Sequence, residues 1–335
     1  MDAEFTPDGT KLVTGSMDGS AIVWDVATET AIRDHGGSYV AFSPNGNLVA
    51  TAGGGVNRYV NLYSTQSGAE YGDLYCGYGY ITSLAFSPDR QHLAVGCTDN
   101  TVKVFDLQTL EEVRELGGFI EDVAEVAFSP DGSLVVGAEG GFDIDDDAWI
   151  RVFRVEDGSL VNEWEAHGQN TLALTFGPSN EIVVSSGRDG TSPLSYSIRY
   201  WNISDGSLRG EYEELALSLA INRDGSRLAY GGLNGRVVVA AENVFSDLTP
   251  APLPMNKNPR VRDGLTRGIR HQDLQWLQLL DLKIESRDFG DVGLDLHFAC
   301  VAYLRIWHIF QMVPVDVAAK GQREIESRRD DAPLA

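Results

Sequence analysis

The chain has 335 residues, 43% of them hydrophobic, and carries 26 Lys and Arg against 49 Asp and Glu, a formal charge of −23. That much apolar material supplies a core and excludes global disorder. A charge of this sign repels phosphate backbones, whose binding rests on neutralisation by Lys and Arg, and so argues against a nucleic-acid partner.

From the N-terminus onward the chain repeats itself. Six segments open with related phrases: Phe5-Thr-Pro-Asp-Gly, Phe42-Ser-Pro-Asn-Gly, Phe86-Ser-Pro-Asp-Arg, Phe128-Ser-Pro-Asp-Gly, Phe176-Gly-Pro-Ser-Asn and Ile221-Asn-Arg-Asp-Gly. Their mean spacing is about 43 residues, a period typical of four-stranded repeat units. A second landmark follows each phrase: Trp24-Asp25, Tyr63-Ser64, Phe105-Asp106, Phe153-Arg154, Trp201-Asn202 and, eroded, Val239-Ala240. Within a unit, an alternating run such as Val126-Ala-Phe128 predicts a first strand, and Ser-Pro-Asp-Gly predicts the turn after it, with Pro presetting φ and Gly taking the positive-φ position. Leu93 to Cys97 predicts a second strand, Thr101 to Phe105 a third and Glu112 to Leu116 a fourth. One such unit cannot bury both its faces, so neighbours must stack.

On these phrases and landmarks, the units over residues 1 to about 248 resemble the WD-repeat β-propeller family. The resemblance implies an all-β propeller of six recognisable four-stranded blades, incomplete or with a seventh. It also implies a structural hydrogen-bond relay in each blade, from a His through a Ser or Thr to an Asp in the turn and on to the Trp. Thr14, Asp18 and Trp24 fit it in the first unit, and His167, Ser185, Asp189 and Trp201 in the fifth. Elsewhere it is eroded: Asp99 goes with Phe105 in the third unit, and Asn234 has no aromatic partner in the sixth. The function the resemblance implies is a non-enzymatic scaffold for protein–protein interaction. A propeller enzyme of the quinoprotein dehydrogenase or lactonase type is the alternative, resting on one faint quinoprotein-like stretch at Val155 to Trp164.

Units two, four and five are longer between their two landmarks, and the extra residues fall between the second and third strands. Recognition concentrates on loops held by a rigid scaffold, which makes Asn57, Arg58, Phe142, Asp143, Asp145, Asp147, Arg188 and Tyr196 the candidate partner-binding residues. Tolerated drift is the competing reading, since doubling a loop costs only about 0.6 kcal/mol. The carboxylates of Asp143, Asp145, Asp146 and Asp147 could converge on a hard cation, but Ala148 and Arg154 stand where an EF-hand needs Gly and Glu. A solvated acidic loop, with no metal and no cofactor, is therefore expected. No His-Glu-x-x-His or Gly-x-Ser-x-Gly motif supports catalysis. Gly53-Gly-Gly55 has no following Lys-Ser/Thr and reads as a hairpin. Tyr71, Tyr75, Tyr78 and Tyr80 form either a binding patch or strand packing.

The whole of the negative charge falls within residues 1–250, where Lys11 and Lys103 are the only lysines. Such a surface suits either a salt-rich cytoplasm or a basic partner. Pro250 to Pro259 marks a stiff linker, taken as 249–259. The repeat grammar ends there, and 260–335 reads as an unrelated extension, partly helical or disordered, with His271 to Glu285 as its amphipathic helix. It could also be an out-of-frame extension. The chain begins within the first strand, which leaves no N-terminal strand to latch a ring. Cys76, Cys97 and Cys300 are odd in number and far apart in sequence, so neither a disulfide framework nor a CxxC site is expected, and a reducing compartment fits. Met1 opens no secretory leader, and Arg305 and Asp316 interrupt the most apolar stretch. A cytoplasmic chain without a membrane segment is expected.

Overall fold

The computed structural model describes residues 2–53, 58–140, 147–190, 195–222, 224–232 and 237–241, and a short strand at 284–286. The described residues form six four-stranded sheets and no helix. The first contains β1 (Ala3–Phe5), β2 (Lys11–Gly15), β3 (Ala21–Asp25) and β4 (Thr30–Asp34), and the second β5 (Tyr39–Phe42), β6 (Leu48–Ala52), β7 (Tyr59–Ser64) and β8 (Glu70–Tyr75). The third holds β9 (Ile81–Phe86), β10 (His92–Cys97), β11 (Thr101–Asp106) and β12 (Glu112–Leu116). The fourth holds β13 (Val123–Phe128), β14 (Leu134–Glu139), β15 (Ala148–Arg154) and β16 (Leu160–His167). The fifth is β17 (Asn170–Phe176), β18 (Ile182–Arg188), β19 (Tyr196–Asn202) and β20 (Leu208–Tyr212). The sixth is β21 (Ser218–Ile221), β22 (Arg227–Gly231), β23 (Val237–Ala241) and β24 (Ile284–Ser286). The arrangement is a six-bladed β-propeller, each blade a meander of antiparallel neighbours except at β24, which pairs parallel to β23 through Val237 and Ile284.

The recurring phrase closes its turn with its own side chains. The Thr6 hydroxyl donates to Asp8 at 2.7 Å and accepts the Lys11 N–H at 3.0 Å. Ser43 with Asn45 and Leu48, Ser87 with Asp89 and His92, and Ser129 with Asp131 and Leu134 repeat that pattern. The turn is therefore specified locally, before any blade packs. In the third blade Arg90 replaces the turn Gly and still takes the left-handed conformation, at φ +67.

Packing follows from which strands have two covered faces. The second strands of the interior blades are buried almost throughout, as β14 is at every residue, whereas outer strands such as β12 are largely exposed. Side chains from consecutive blades interlock in five apolar clusters, one at each junction from the first blade to the sixth. Among the described residues, none of these clusters joins the sixth blade to the first.

One expectation changes. Ile284 and Glu285, read as the end of a helix, lie in strand β24, the fourth strand of the sixth blade. The rest of 249–335 lies outside the described residues. Cys76 and Cys97, far apart in sequence, meet in the apolar cluster between blades two and three, because the repeat folds the end of one blade back onto the second strand of the next.

Candidate functional site

In blade five the four relay residues are hydrogen-bonded, but in the order Asp189, His167, Ser185, Trp201, so that the histidine and not the hydroxyl meets the aspartate and the Trp ends on the hydroxyl. His167, just ahead of β17, is buried, and its Nδ1 lies 2.9 Å from Asp189 while Nε2 lies 2.9 Å from the Ser185 hydroxyl. The Trp201 indole donates to the same hydroxyl at 2.9 Å. Burial pushes the imidazole below its ordinary value of 6.5, outweighing the pull of Asp189, so the ring is neutral. Nδ1–H then donates to Asp189, and Nε2 accepts from Ser185, whose oxygen accepts from Trp201. Burial raises Asp189, but hydrogen bonds from His167 and Ser197 and the Arg199 charge, 2.8 Å away, hold it below the carboxylate range.

Asp, His and Ser in this order resemble a nucleophilic triad, yet Ser185 is 0% exposed and its oxygen is already engaged by Trp201. A hydroxyl with no accessible surface cannot reach a substrate carbonyl. The arrangement fixes strand β18 to β19 and to the connection before β17.

The corresponding positions in other blades are filled differently. Register places Ser185 in line with Thr14, Thr51, Val95 and Gly137, each two residues beyond the partner of its leading Phe. In blade one, Trp24 donates to Thr14 at 2.9 Å, while Asp18 accepts from the N–H and hydroxyl of Ser20 within the turn. In blade two, His35 stacks on Tyr63 with ring centroids 4.0 Å apart, and the Thr51 hydroxyl has no hydrogen-bond partner. Blade three has Val95 and Phe105, and Asp99 accepts the Thr101 hydroxyl at 2.6 Å. In blade four Phe119 occupies the histidine position and packs on Phe153 at 6.0 Å. Gly137 leaves room for it: a Cβ there would stand 2.7 Å from the Phe119 ring. Gly187 serves His167 in the same way, with its Cβ site 2.3 Å from the imidazole.

A second recurring constellation escaped the sequence reading. Lys103–Glu115, Arg151–Glu163 and Arg199–Glu211 are register partners between third and fourth strands, with contacts of 2.6, 2.9 and 2.8 Å. Their signal was legible, since each acid follows its base by the same twelve residues. Arg151 also grips buried Glu139 at 2.6 Å, and Glu139 accepts the backbone N–H groups of Ile120 and Trp149.

Among the candidate partner-binding residues, Arg188 and Tyr196 face each other across β18 and β19, Arg58 lies over the Tyr78 ring at 5.5 Å, and Asp147 is exposed at the head of β15. Asn57, Phe142, Asp143 and Asp145 lie outside the described residues, as do Asp146 and Asn234. The meander places the loops between second and third strands at the same end of a blade as the connections between blades. At that end Met17, Tyr59, Tyr75, Tyr78, Tyr80 and Ile120 are exposed, Tyr78 at 84%. Tyr71 lies at the opposite end of β8 and donates to the Leu107 carbonyl. Among the described residues, no group of three or more His, Cys, Asp or Glu is placed to hold a metal ion.

The family model "WD domain, G-beta repeat" matches residues 1–25, 72–106 and 158–191. A WD repeat-containing protein SL1-17 of Schistosoma mansoni is 31% identical over 166 residues, which are 48% of this chain and 52% of the relative. Periodic tryptophan protein 2 homolog of Dictyostelium discoideum is 28% identical over 244 residues, 69% of this chain and 25% of the relative. The chain thus spans about half or less of the length of these curated relatives. Among solved structures, Kuenenia stuttgartiensis hydrazine synthase matches with a TM-score of 0.62 at 17% identity, covering 71% of this chain and 75% of that one. A chain of a mitotic checkpoint complex matches at 0.59 and 20% identity, covering 69% and 71%. At such identities these likenesses concern the fold alone. The repeated phrase, the blade topology and the matched segments coincide: WD repeats lie within residues 1–191 of a six-bladed β-propeller.

Proposed function

We propose that the chain is a non-enzymatic scaffold that binds a protein partner on the face carrying the loops between second and third strands and the connections between blades. One observation carries this reading: six large apolar side chains from the first four blades stand exposed at that end. Exposed apolar and aromatic groups gathered on one surface mark interaction sites, and Tyr is enriched in interface cores. The relatives support the class, since WD-repeat proteins of this kind are generally interaction scaffolds. Arg58 and Tyr78 form the centre of the proposed contact, with Arg188, Tyr196 and Asp147 further round the face.

The test compares two variants of the full chain as affinity baits, with quantitative mass spectrometry of what each retains. Tyr78→Ser with Ile120→Ser removes the two most exposed members of the patch, and Leu160→Ser removes an exposed apolar group at the opposite end of blade four. Partners retained by the native chain are expected to fall at least tenfold with the first variant and to stay with the second, at unchanged melting temperature. Equal retention by both rejects the face.

A further inference from the structure

Cys76 and Cys97 belong to different blades, yet both are fully buried in one cluster between blades two and three. Cys76 extends β8, its N–H donating to the Arg58 carbonyl, and Cys97 ends β10. Both are free thiols, donating weakly to the carbonyls of Leu74, at 3.8 Å, and Val95, at 3.9 Å, and they lie near enough for Cys76 to perturb Cys97. The fold explains the meeting. Cys97 stands in register where blade five has Gly187, the residue that makes room for the His167 ring. Blade three has Gly77 at the histidine position, so the space an imidazole fills in blade five is left for sulfur.

We propose that Cys76 and Cys97 are a modification site, a dithiol that small-molecule disulfides oxidise to a bond tying blade two to blade three. In the first step one thiolate attacks a sulfur of R–S–S–R, forming a protein mixed disulfide and releasing RS⁻. In the second the other thiolate displaces the remaining RS⁻ and closes the protein disulfide. Two cysteine thiols lose two electrons and two protons, and the reagent leaves as two RSH. The neighbouring Cys76 thiol and burial both push the Cys97 thiol up, so the thiolate is scarce and the reaction proceeds through transient opening of the junction. Cys76 is also the root of Gly77-Tyr78-Gly79-Tyr80, whose two tyrosines are exposed, and the bond pins that loop to β10. The site stands independently of the partner-binding reading.

The test incubates the full chain under native conditions with oxidised glutathione, in the native sequence and with Cys300→Ser, and maps the products by intact mass and peptide mass spectrometry. The expected product has lost two hydrogens, yields a peptide joining Cys76 to Cys97 in both chains, melts at higher temperature, and reverts with dithiothreitol. Free thiols after prolonged incubation, or mixed disulfides that persist on either cysteine without closing, overturn the proposal. Cys97→Ser serves as the second variant: the cross-link must vanish from it, and a Cys76 bond to any other site in the chain also overturns the assignment.

Discussion

At the scale of single residues, one position in the blade explains much of this molecule. Where a Gly at the end of the second strand makes room, as Gly187 does, an imidazole enters and organises a chain of three hydrogen bonds. Where room opens two residues earlier, at Gly137, the intruder is Phe119 and the contact is apolar. Replacing His167 with Ala leaves Asp189 and Ser185 without a shared partner in a buried site, and the expected loss is about 3 kcal/mol by chemical denaturation. The pH dependence has a definite sign. Because the folded His167 lies below 6.5, the unfolded chain binds the extra proton as pH falls through about 6.5, and stability drops there. Asp189, held below 3.8, contributes stability above that value and loses it as pH falls through its lower folded value. Melting temperature is expected to fall between about pH 7.5 and pH 5 in the native chain and less so in His167→Gln. His35, lowered by burial and by Arg33, leaves a residual slope. An unchanged slope in the variant would mean that His167 is not the group responsible.

At the scale of strands, the cross-strand ion pairs are the feature to probe. Arg151 joins β14, β15 and β16 through Glu139 and Glu163, and both it and Glu139 are buried. Arg151→Met strands a buried carboxylate, and removal of one partner from a buried pair costs about 3 to 5 kcal/mol. Arg151→Met combined with Glu139→Gln should recover most of that loss in a denaturation cycle; a double variant no better than the single one refutes the pairing as the cause. The strands themselves were legible because their turns are local: Thr6 and Asp8, or Ser129 and Asp131, specify the hairpin within a few residues. The four relay residues of blade five were legible too, but not the order in which they bond, since the imidazole reaches Asp189 and Ser185 at once. What was hidden depends on which blade lies next to which. No local pattern brings Cys76 to Cys97, or shows that Phe119 enters the place of a histidine. Strand β24 was misread because Leu274, Leu277 and Leu280 suggest a helical face, whereas the unpaired edge of β23 takes Ile284 to Ser286 as a strand.

For the molecule as a whole, charge is the dominant variable. A net −23 concentrated in the propeller segment works against compactness at low ionic strength, and the Debye length shrinks to about 3 Å at 1 M salt. The melting temperature of the full chain is expected to rise steadily from low salt to multimolar KCl. A flat curve would assign the acidic surface to partner recognition alone. Architecture sets how such stress is distributed. The five apolar clusters each couple one blade to the next, so that stress passes between nearest neighbours. Disrupting blade three severs its couplings to blades two and four. A lesion in blade three therefore loosens its seams with blades two and four together, and the damage passes from neighbour to neighbour round the propeller.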